Sequence, residues 1–503
     1  MKTHSALAFI VLLLSCSSKT DERIEAIDSL FNTLYEADTF NGNILVAENG
    51  KIQYEKSFGL ADKSTDKTLD KESLFNIASI SKTFTAVAIL QLEEQGALAL
   101  QDNISNYLPD FAYENISIEH LLTHTSGLYR IQSALIRDEI DQKGLSNSEL
   151  LEVYNDIRPP AYFPPGTGYQ YANTNYILLA LIIESVSGMP YEQYIRENVF
   201  ETAGMKTTYL KKRRVPAAQQ ENIVQYYRKP NWLSPEAVNI DTIPSDRAER
   251  ETFKNNYGES AVYTTARDLL NYHNALQEGR LLSAESNKKM YQSFELSNGS
   301  TYAINRATNY LAQTGLAWGV ASDTSEGQIV FHAGGFRGGR NFLIRNTSKN
   351  QCIILLSNND LCNRYTFTAP MRVLNEQSYQ LDRISLPKAF CKAYVEQGGK
   401  TAFETLQGIE NNAHSIPFID WDYEEIGQEM MDKQDYEAAI KLFQKYTLSY
   451  PEDAFSWSML ADAYLANEQR ELALTNYQKS LEVNPKHEAA QAGIESLSKV
   501  MAN

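Results

Sequence analysis

The stretch FNIASISK, residues 75–82, opens an apolar run that ends at Gly96. Apolar residues recur along this run at intervals of three and four, which is the spacing of a helix face. Gly96 supplies the left-handed residue at which helices commonly end. The pattern predicts a loop that turns into a buried helix of roughly four to five turns, with Ser79 in its first turn.

Ser79 and Lys82 lie three residues apart, so a helix places both side chains on one face and within reach of each other. A serine hydroxyl is a weak nucleophile until a neighbouring base takes its proton, and a lysine amine can be that base when desolvation favours its neutral form. The dipole at a helix N-terminus also disfavours an ammonium group. The pair therefore suits covalent catalysis.

The same spacing of serine and lysine occurs four more times in the chain. All four pairs lie in polar or terminal surroundings with no long apolar helix behind them. They are Ser64 and Lys67, Ser286 and Lys289, Ser385 and Lys388, and Ser496 and Lys499. Spacing alone is therefore a weak signal, and catalysis by Ser79 needs partners from elsewhere in the chain.

Length and composition limit the class of protein. The 503 residues suggest two to four domains. Hydrophobic residues make up 43% and charged residues 22%, as in ordinary globular proteins. The formal net charge of −17, without a basic face and interleaved aromatic residues, argues against a nucleic-acid partner.

The N-terminus has the pattern of a targeting segment. Lys2 precedes the apolar run Ala6–Leu14, which is long enough for a signal-peptide core and too short to span a bilayer. The run ends in LLSC, which resembles the bacterial lipoprotein signal, and this resemblance implies that Cys16 is lipidated. Residues 1–16 are therefore predicted to be a signal that leaves the protein anchored to a membrane in the cell envelope. An ordinary cleaved signal peptide is the alternative.

Ser17 and Ser18 after the lipidation cysteine are compatible with the outer membrane of a Gram-negative bacterium. The other cysteines are Cys352, Cys362 and Cys391. This odd number predicts at most one disulfide, and the spacing indicates no metal site.

Further helices and strands follow from apolar periodicity and turn residues. The predicted helices are 21–36, 176–186, 268–276 and 283–291. The predicted strands are 44–47 and 51–57, joined by a turn at Asn49-Gly50, followed by 316–320, 328–332, 342–345 and 352–356.

The second candidate stretch follows the rigid turn FPPGTG at residues 163–168. Tyr171 and Asn173 are expected on the loop between this turn and the next helix, where catalytic groups are commonly placed. The alternative for Tyr171 is a packed aromatic residue whose hydroxyl reaches water. His124 has no evident partner in the sequence, so we interpret it as structural.

The third candidate stretch is HAGGFRGG, residues 332–339, between two predicted strands. Its glycines let the backbone approach a ligand closely and direct amide N–H groups at it. The alternative is a glycine-rich turn with an incidental histidine. Residues 205–257 are polar and aperiodic, and they predict either a lid or binding loop over a site or an insertion without function.

The C-terminal part repeats with a period of 34 residues. Pairs of residues match at this offset: Pro451 and Pro485, Ala439 and Ala473, Phe443 and Tyr477. This is the tetratricopeptide period, so residues 421–500 are predicted to be tetratricopeptide repeats and residues 381–420 a helical linker or an atypical repeat.

The three stretches Ser79–Lys82, Tyr171–Asn173 and His332–Gly334 together resemble the motifs of the class C β-lactamase, penicillin-binding DD-peptidase and esterase superfamily of serine hydrolases. The resemblance covers residues 22–380. It implies an α/β (α+β) β-lactamase/transpeptidase-like fold, in which an antiparallel sheet is flanked by helices, with an additional all-helical region and the site at their junction.

The resemblance also implies a role for each matching residue. Ser79 would be the acylated nucleophile, and Lys82 and Tyr171 would share the general-base and general-acid work. Asn173 would hydrogen-bond the substrate, and no metal or other cofactor is needed.

In the third motif, His332 and Gly334 would border the substrate. The backbone N–H groups of Ser79 and Gly335 would form the oxyanion hole. One departure matters, because β-lactamases usually have a lysine where this chain has His332. A histidine is largely neutral at pH 7, which weakens the β-lactamase interpretation unless Arg337 replaces the missing charge.

These observations predict a lipid-anchored serine hydrolase that acts through an acyl-enzyme on small-molecule esters, amides or D-amino-acid peptides. One alternative is a β-lactamase or penicillin-binding carboxypeptidase. Another is a catalytically weak docking protein that acts through its repeats, whose concave surface would bind a protein partner.

Overall fold

A computed structural model describes residues 19–210, 221–304, 312–359, 364–379, 384–410 and 415–501. The predicted signal 1–16, with its lipidation cysteine, and Cys362 lie outside the described residues. Within them, Cys352 and Cys391 are both buried free thiols. None of the described helices is long and apolar enough to cross a membrane.

The described residues divide into two compact units. The first consists of the described parts of Met1–Tyr227 and Asn239–Tyr379, and the second of Arg228–Val238 and the described parts of Gln380–Asn503. Arg228–Val238, in the middle of the polar and aperiodic stretch 205–257, therefore belongs to the C-terminal unit. The sequence did not indicate this.

The first unit is built around an eight-stranded antiparallel sheet with the order β3-β4-β5-β6-β7-β8-β1-β2. Its strands are β1 Gly42–Glu48, β2 Lys51–Phe58, β3 Ala303–Ile304, β4 Ala312–Thr314, β5 Gly319–Ala321, β6 Ile329–Phe336, β7 Gly339–Asn346 and β8 Gln351–Ser357. The predicted hairpin at Asn49-Gly50 is present, with φ values of 53° and 73° at the two turn residues. The predicted strand 316–320 begins only at Gly319, because Ala317 has a left-handed φ of 68°.

The helices of the first unit are α1 Lys19–Glu36, α2 Ser81–Glu94, α3 Ile118–Leu122, α4 Ala134–Ile140, α5 Asn147–Ile157, α6 Asn173–Ser187, α7 Tyr191–Ile195, α8 Pro244–Thr252, α9 Ala266–Gln277, α10 Ala284–Met290 and α11 Arg364–Leu374. Single turns of other helix types are Ala78–Ile80, Ile104–Asn106, Arg196–Glu201 and Ile240–Thr242. Short strands pair as Leu60–Asp62 with Lys67–Thr68, as Phe75–Asn76 with Val262–Thr264 and Tyr209–Leu210, and as Tyr227–Arg228 with Val238–Asn239.

Both faces of the large sheet are covered by helices. Alternate residues of β8 point to opposite faces, and Cys352 and Ile354 join the core that surrounds α2. On the other face, Phe342 of β7 stacks on Phe367 of α11, with ring centroids 5.0 Å apart. The antiparallel sheet flanked by helices is the architecture that the resemblance implied.

Helix α2 lies in the centre of the first unit. Every residue from Ser81 to Leu90 is buried, as expected for a helix that is apolar on most of its circumference. The Phe84 ring makes edge contacts with Phe200 and Tyr272, with centroid distances of 5.3 and 4.6 Å. The helix is therefore a rigid support for the residues at its N-terminus.

The second unit is helical apart from one short parallel strand pair, Ile384–Ser385 with Ser415–Ile416. Its helices are α12 Leu386–Gln397, α13 Gly399–Ile409, α14 Asp420–Asp432, α15 Tyr436–Ser449, α16 Ala454–Ala466, α17 Arg470–Val483 and α18 Glu488–Met501. Helix α12 packs on α13, and from α14 onward each helix packs on the next.

The segment Arg228–Val238 is bound to α14 by carboxylates. Glu429 accepts hydrogen bonds from the backbone N–H groups of Trp232 and Leu233, both at 2.8 Å. The Trp232 indole N–H donates to Glu425 at 2.8 Å. Leu233 is buried in the core of this unit. These contacts explain why the segment belongs to the C-terminal unit.

Candidate active site

Ser79 lies in a strained turn rather than inside α2. The short strand Phe75–Asn76 leads into the 3₁₀ turn Ala78–Ile80, and α2 begins at Ser81. Ala78 has a left-handed φ of 47°, which costs an L-residue about 1–2 kcal/mol. The Asn76 side chain accepts a hydrogen bond from the Ala78 N–H at 3.0 Å and holds this turn. The prediction that Ser79 occupies the first turn of the α-helix is therefore corrected.

Lys82 is fully buried behind Ser79. Its Nζ donates to Ser79 Oγ at 3.0 Å and to the backbone carbonyl of Glu259 at 2.8 Å. It forms no ion pair with any described carboxylate. The amine is thus aimed at the serine hydroxyl in surroundings that exclude water, which is the geometry a base for Ser79 requires.

The Tyr171 ring lies beside the same amine. Lys82 Nζ lies 5.1 Å from the centroid of the Tyr171 ring and 5.5 Å from that of Tyr176. Tyr171 follows the predicted rigid turn, in which Gly166 has a φ of 76°. The structure therefore brings Tyr171 next to Lys82.

His124 supports Tyr171, which the sequence did not reveal. Its ring centroid lies 4.3 Å from that of Tyr171, and its Nδ1 accepts from the Ala172 N–H at 3.3 Å and contacts the Asn175 amide at 3.2 Å. Burial, followed by the positive charge of Lys82, holds the pKa of His124 well below its usual value. These contacts are consistent with the interpretation of His124 as structural, and its partners lie about fifty residues further along the chain, where the sequence around His124 does not indicate them.

Asn173 was predicted to lie on the loop before the helix, but it is the first residue of α6. Its side-chain Oδ1 is buried and makes no hydrogen bond with any described residue. An unpartnered amide oxygen beside Tyr171 is able to accept a hydrogen bond from a bound molecule.

His332, Gly334 and Gly335 lie within strand β6, although the sequence suggested a tract between strands. The tract stays in the sheet because it pairs with β7, with Gly335 opposite Arg340. A Cβ on Gly334 would lie 2.0 Å from the carbonyl oxygen of Ile77. Glycine is therefore required for β6 to lie against the turn that holds Ser79.

His332 is a neutral group at this position. Its Nδ1–H donates to the Ala333 carbonyl at 2.7 Å. Burial and the neighbouring positive charge of Lys82 lower the pKa of His332 to about 3. His332 therefore does not replace the charge of the lysine that β-lactamases usually have there.

Arg337 does not replace the positive charge of that lysine either, because it is already paired. Its guanidinium pairs with the buried Asp246 at 3.0 Å and with Glu249 at 3.7 Å, both on α8. A Cβ on Gly338 would lie 2.8 Å from Ile240. Ile240 and α8, which belong to the stretch 205–257 and to the first unit, thus contact the turn after β6, as a binding loop would.

Ser79, Lys82 and Tyr171 bring together a hydroxyl, a buried amine that contacts it, and an aromatic ring beside that amine. This arrangement, with β6 alongside, is the one expected of a serine hydrolase. Residues 27–376 match the Beta-lactamase family, and the chain belongs to that family.

Individual relatives agree with this assignment. A penicillin-binding protein of Bacillus subtilis is 32% identical over 345 residues, which cover 66% of this chain and 71% of the relative. The fold is similar to that of the octameric penicillin-binding protein homologue from Pyrococcus abyssi, with a TM-score of 0.59, 22% identity and coverage of 71% and 78% of the two chains. It is also similar to that of a class C β-lactamase, with a TM-score of 0.57, 21% identity and coverage of 73% and 99%.

Glu259 is a buried carboxyl group next to the site that the sequence did not indicate. It is 3% exposed, its Oε2 makes no hydrogen bond with any described residue, and its backbone carbonyl accepts from Lys82. Burial raises the pKa of Glu259, and the charge of Lys82 opposes this increase.

Replacing Glu259 by glutamine is expected to stabilise the protein increasingly as the pH rises. Because the pKa of Glu259 is higher in the folded than in the unfolded state, its ionisation above about pH 4.5 favours unfolding. Glutamine has a similar shape and does not ionise. Urea unfolding of both proteins from about pH 4 to pH 8 should show a difference in unfolding free energy that grows with pH. A difference that stays constant would contradict the burial of an ionisable carboxyl group here.

Proposed function

We propose that this protein is a serine hydrolase that forms an acyl-enzyme at Ser79 and acts on esters or on small amides and D-amino-acid peptides. The observation that supports this most directly is the 3.0 Å hydrogen bond between Lys82 Nζ and Ser79 Oγ, made by an amine that is fully buried. In water, a lysine amine is protonated at neutral pH and cannot take a proton from serine. A base for Ser79 must therefore be held out of water and against the hydroxyl, as Lys82 is.

In the proposed reaction, Lys82 accepts the hydroxyl proton while Ser79 Oγ forms a bond to the substrate carbonyl carbon. The backbone N–H groups of Ser79 and Gly335 bind the resulting oxyanion, and one such donor typically contributes about 2.7–4 kcal/mol of transition-state stabilisation. The C–O or C–N bond then breaks as Tyr171 donates its phenol proton to the leaving alcohol or amine, and the protonated Lys82 returns a proton to Tyr171. Water attacks the ester of Ser79 in the reverse sequence and releases the acid. Asn173 would hydrogen-bond the bound substrate.

A β-lactamase or penicillin-binding carboxypeptidase is the second candidate. The similarity to a penicillin-binding protein of Bacillus subtilis favours it. The neutral His332 weighs against it, because binding the carboxylate of a β-lactam or of a D-Ala-D-Ala end requires a cation elsewhere in the site.

For the C-terminal unit we propose tetratricopeptide repeats that bind a protein partner. The alternation of helices over residues 420–501 and the 34-residue period support this. Gly427 supports it further, because a Cβ there would lie 2.2 Å from the Phe443 ring of the next helix. We also propose that Cys16 is lipidated and anchors the protein in the cell envelope. In a Gram-negative cell, the anchor would lie in the outer membrane. A docking protein with a weak hydrolase domain remains the third candidate.

Intact-protein mass spectrometry can decide among these candidates. The chain from Lys19 onward would be exposed to a fluorophosphonate and, separately, to a penicillin, and the modified residue would be identified by peptide mapping. A fluorophosphonate adduct on Ser79 is expected. A lasting penicillin adduct would indicate a carboxypeptidase, and turnover of penicillin a β-lactamase. No adduct on protein shown to be folded would contradict the hydrolase proposal and favour the docking protein.

A further inference from the structure

The buried carboxyl group of Glu259 lies close to the amine of Lys82. Glu259 is 3% exposed, and its Oε2 makes no hydrogen bond with any described residue. Its backbone carbonyl accepts the 2.8 Å hydrogen bond from Lys82 Nζ. Only the covalent bonds of one glutamate residue separate this carbonyl from the carboxyl group, which therefore lies within about 9 Å of the amine.

The turn that carries Glu259 is fixed against α2. Its carbonyl bonds to Lys82, and the carbonyl of the preceding Gly258 accepts from the Thr85 hydroxyl at 2.6 Å, one helical turn further along α2. A Cβ on Gly258 would lie 2.3 Å from the Tyr176 carbonyl oxygen, so the turn also lies tightly against α6. These contacts hold the carboxyl group of Glu259 near Lys82.

Lys82 and Glu259 act on each other through their charges. Burial raises the pKa of Glu259, and the positive charge of Lys82 opposes this increase. Because an electrostatic interaction is mutual, the ionised carboxylate stabilises the Lys82 ammonium by the same amount. For unit charges about 9 Å apart at an effective dielectric constant of about 20, the effect on each pKa is about one unit or more.

The other titratable side chains that face the Lys82 amine are two histidines and two tyrosines. They are His124, His332, Tyr171 and Tyr176. Burial, followed by the charge of Lys82, lowers the pKa of both histidines, so neither carries charge at neutral pH. A tyrosine phenol is ordinarily neutral at pH 7, and burial raises the pKa of Tyr176 further. Glu259 is therefore the member of this group that supplies a negative charge.

Glu259 is faced on its other side by groups that stay neutral. A hydrogen bond from the Ser260 side chain favours the ionised carboxylate. The Tyr191 hydroxyl of α7 contacts the Thr85 hydroxyl at 2.6 Å. Burial raises the pKa of Tyr191, and the charge of Glu259 adds to this increase. Lys82 is thus the cation on which the carboxylate acts.

We propose that Glu259 is a positioning residue for the reaction: its carboxylate stabilises the ammonium form of Lys82 and thereby sets the pH above which Lys82 can accept the Ser79 proton. This proposal rests on the proposed function, in which Lys82 is the base. It assigns to the enzyme an activity that rises toward alkaline pH, with a midpoint that the carboxylate moves upward.

The pH dependence of acylation tests the proposal. The rate constant for labelling by an uncharged fluorophosphonate would be measured from about pH 5 to about pH 10 in the wild type and in Glu259→Gln. In the wild type, the rate should rise with pH and level off as Lys82 loses its proton. In the variant, the midpoint should fall by about one unit or more, because the ammonium has lost its stabilising anion. The plateau should also fall by about 3- to 10-fold, because Lys82 becomes a weaker base.

Three further variants make the comparison specific. Glu259→Asp keeps a carboxylate, so its midpoint should stay near that of the wild type. Glu184→Gln is the matched control, because the Glu184 carboxylate accepts from the Tyr191 N–H at 2.8 Å and from the Tyr257 hydroxyl at 3.1 Å, and its midpoint should equal that of the wild type. Lys82→Met should show no such rise. Thermal melting of each variant would verify folding.

Each outcome bears on a separate statement. Folded wild-type protein that is not labelled at any pH would contradict the proposed function itself. Labelling with the same midpoint in Glu259→Gln would overturn only the role of Glu259. A uniform loss of rate at every pH in this variant, with the midpoint unchanged, would also overturn it, because it would assign Glu259 a structural role. A midpoint that falls equally in Glu259→Asp would show that the charge is not the cause and would overturn it as well.

Discussion

Replacing Ser79 by alanine is expected to lower kcat/KM for any hydrolysed ester by roughly 10⁵- to 10⁶-fold, the loss seen when a serine hydrolase is deprived of its nucleophile. Lys82 donates a 3.0 Å hydrogen bond to this hydroxyl, and alanine leaves no atom to be acylated. The variant should also fail to react with a fluorophosphonate. Steady-state rates and intact mass would measure both effects.

Ser81→Ala is the matched control for this prediction. Ser81 lies two residues away and is fully buried. Its hydroxyl accepts a long hydrogen bond of 3.4 Å from the Val262 N–H, so its removal should cost about 1 kcal/mol of stability and leave the rate near that of the wild type. If Ser79→Ala retained activity while Ser81→Ala lost it, the nucleophile would have been assigned to the wrong residue.

The helix behind Ser79 could be predicted because its cause is local. Apolar residues at helical spacing and a terminal glycine define α2 without reference to the rest of the chain. The strained turn at Ala78 could not be predicted in the same way. It is held by the Asn76 side chain and by the pairing of Phe75–Asn76 with Val262–Thr264, and these contacts involve residues far apart in the sequence.

The difference between local sequence and long-range contacts also separates the serine–lysine pairs. Lys289 follows Ser286 at the same spacing as Lys82 follows Ser79, but its amine forms an ion pair with Glu93 at 2.9 Å. Lys82 is buried without a carboxylate partner in the described structure. The two pairs differ because residues distant in the chain bury Lys82. The three-residue spacing of serine and lysine does not indicate this burial.

Long-range contacts also account for the residues that were misjudged. His124 packs on Tyr171, and nothing around His124 in the sequence indicates this contact. The tract that contains Gly334 and Gly335 has turn-forming composition, but its pairing with β7 keeps it in the sheet. Arg337, the alternative source of positive charge, forms an ion pair with Asp246 on α8, in a segment whose fold the sequence left open.

Replacing Lys82 by methionine is expected to slow acylation by about 10²- to 10⁴-fold, the usual contribution of a positioned general base. Methionine has a similar length and suits a buried site, so the main loss should be chemical. The Glu259 carbonyl would lose its 2.8 Å hydrogen bond, and a lower melting temperature is expected for this reason. The rate of fluorophosphonate labelling, followed by mass, measures acylation directly.

A second variant distinguishes a base from a simple positive charge. Lys82→Arg keeps a cation and hydrogen-bond donors near Ser79 but cannot accept a proton, because a guanidinium remains protonated in proteins. We expect it to be as slow as Lys82→Met. Lys289→Met, in which the ion pair with Glu93 is lost instead, should acylate at the wild-type rate. If Lys82→Arg acylated normally, the amine would act through its charge, and proton abstraction would fall to Tyr171, whose ring lies 5.1 Å from the amine.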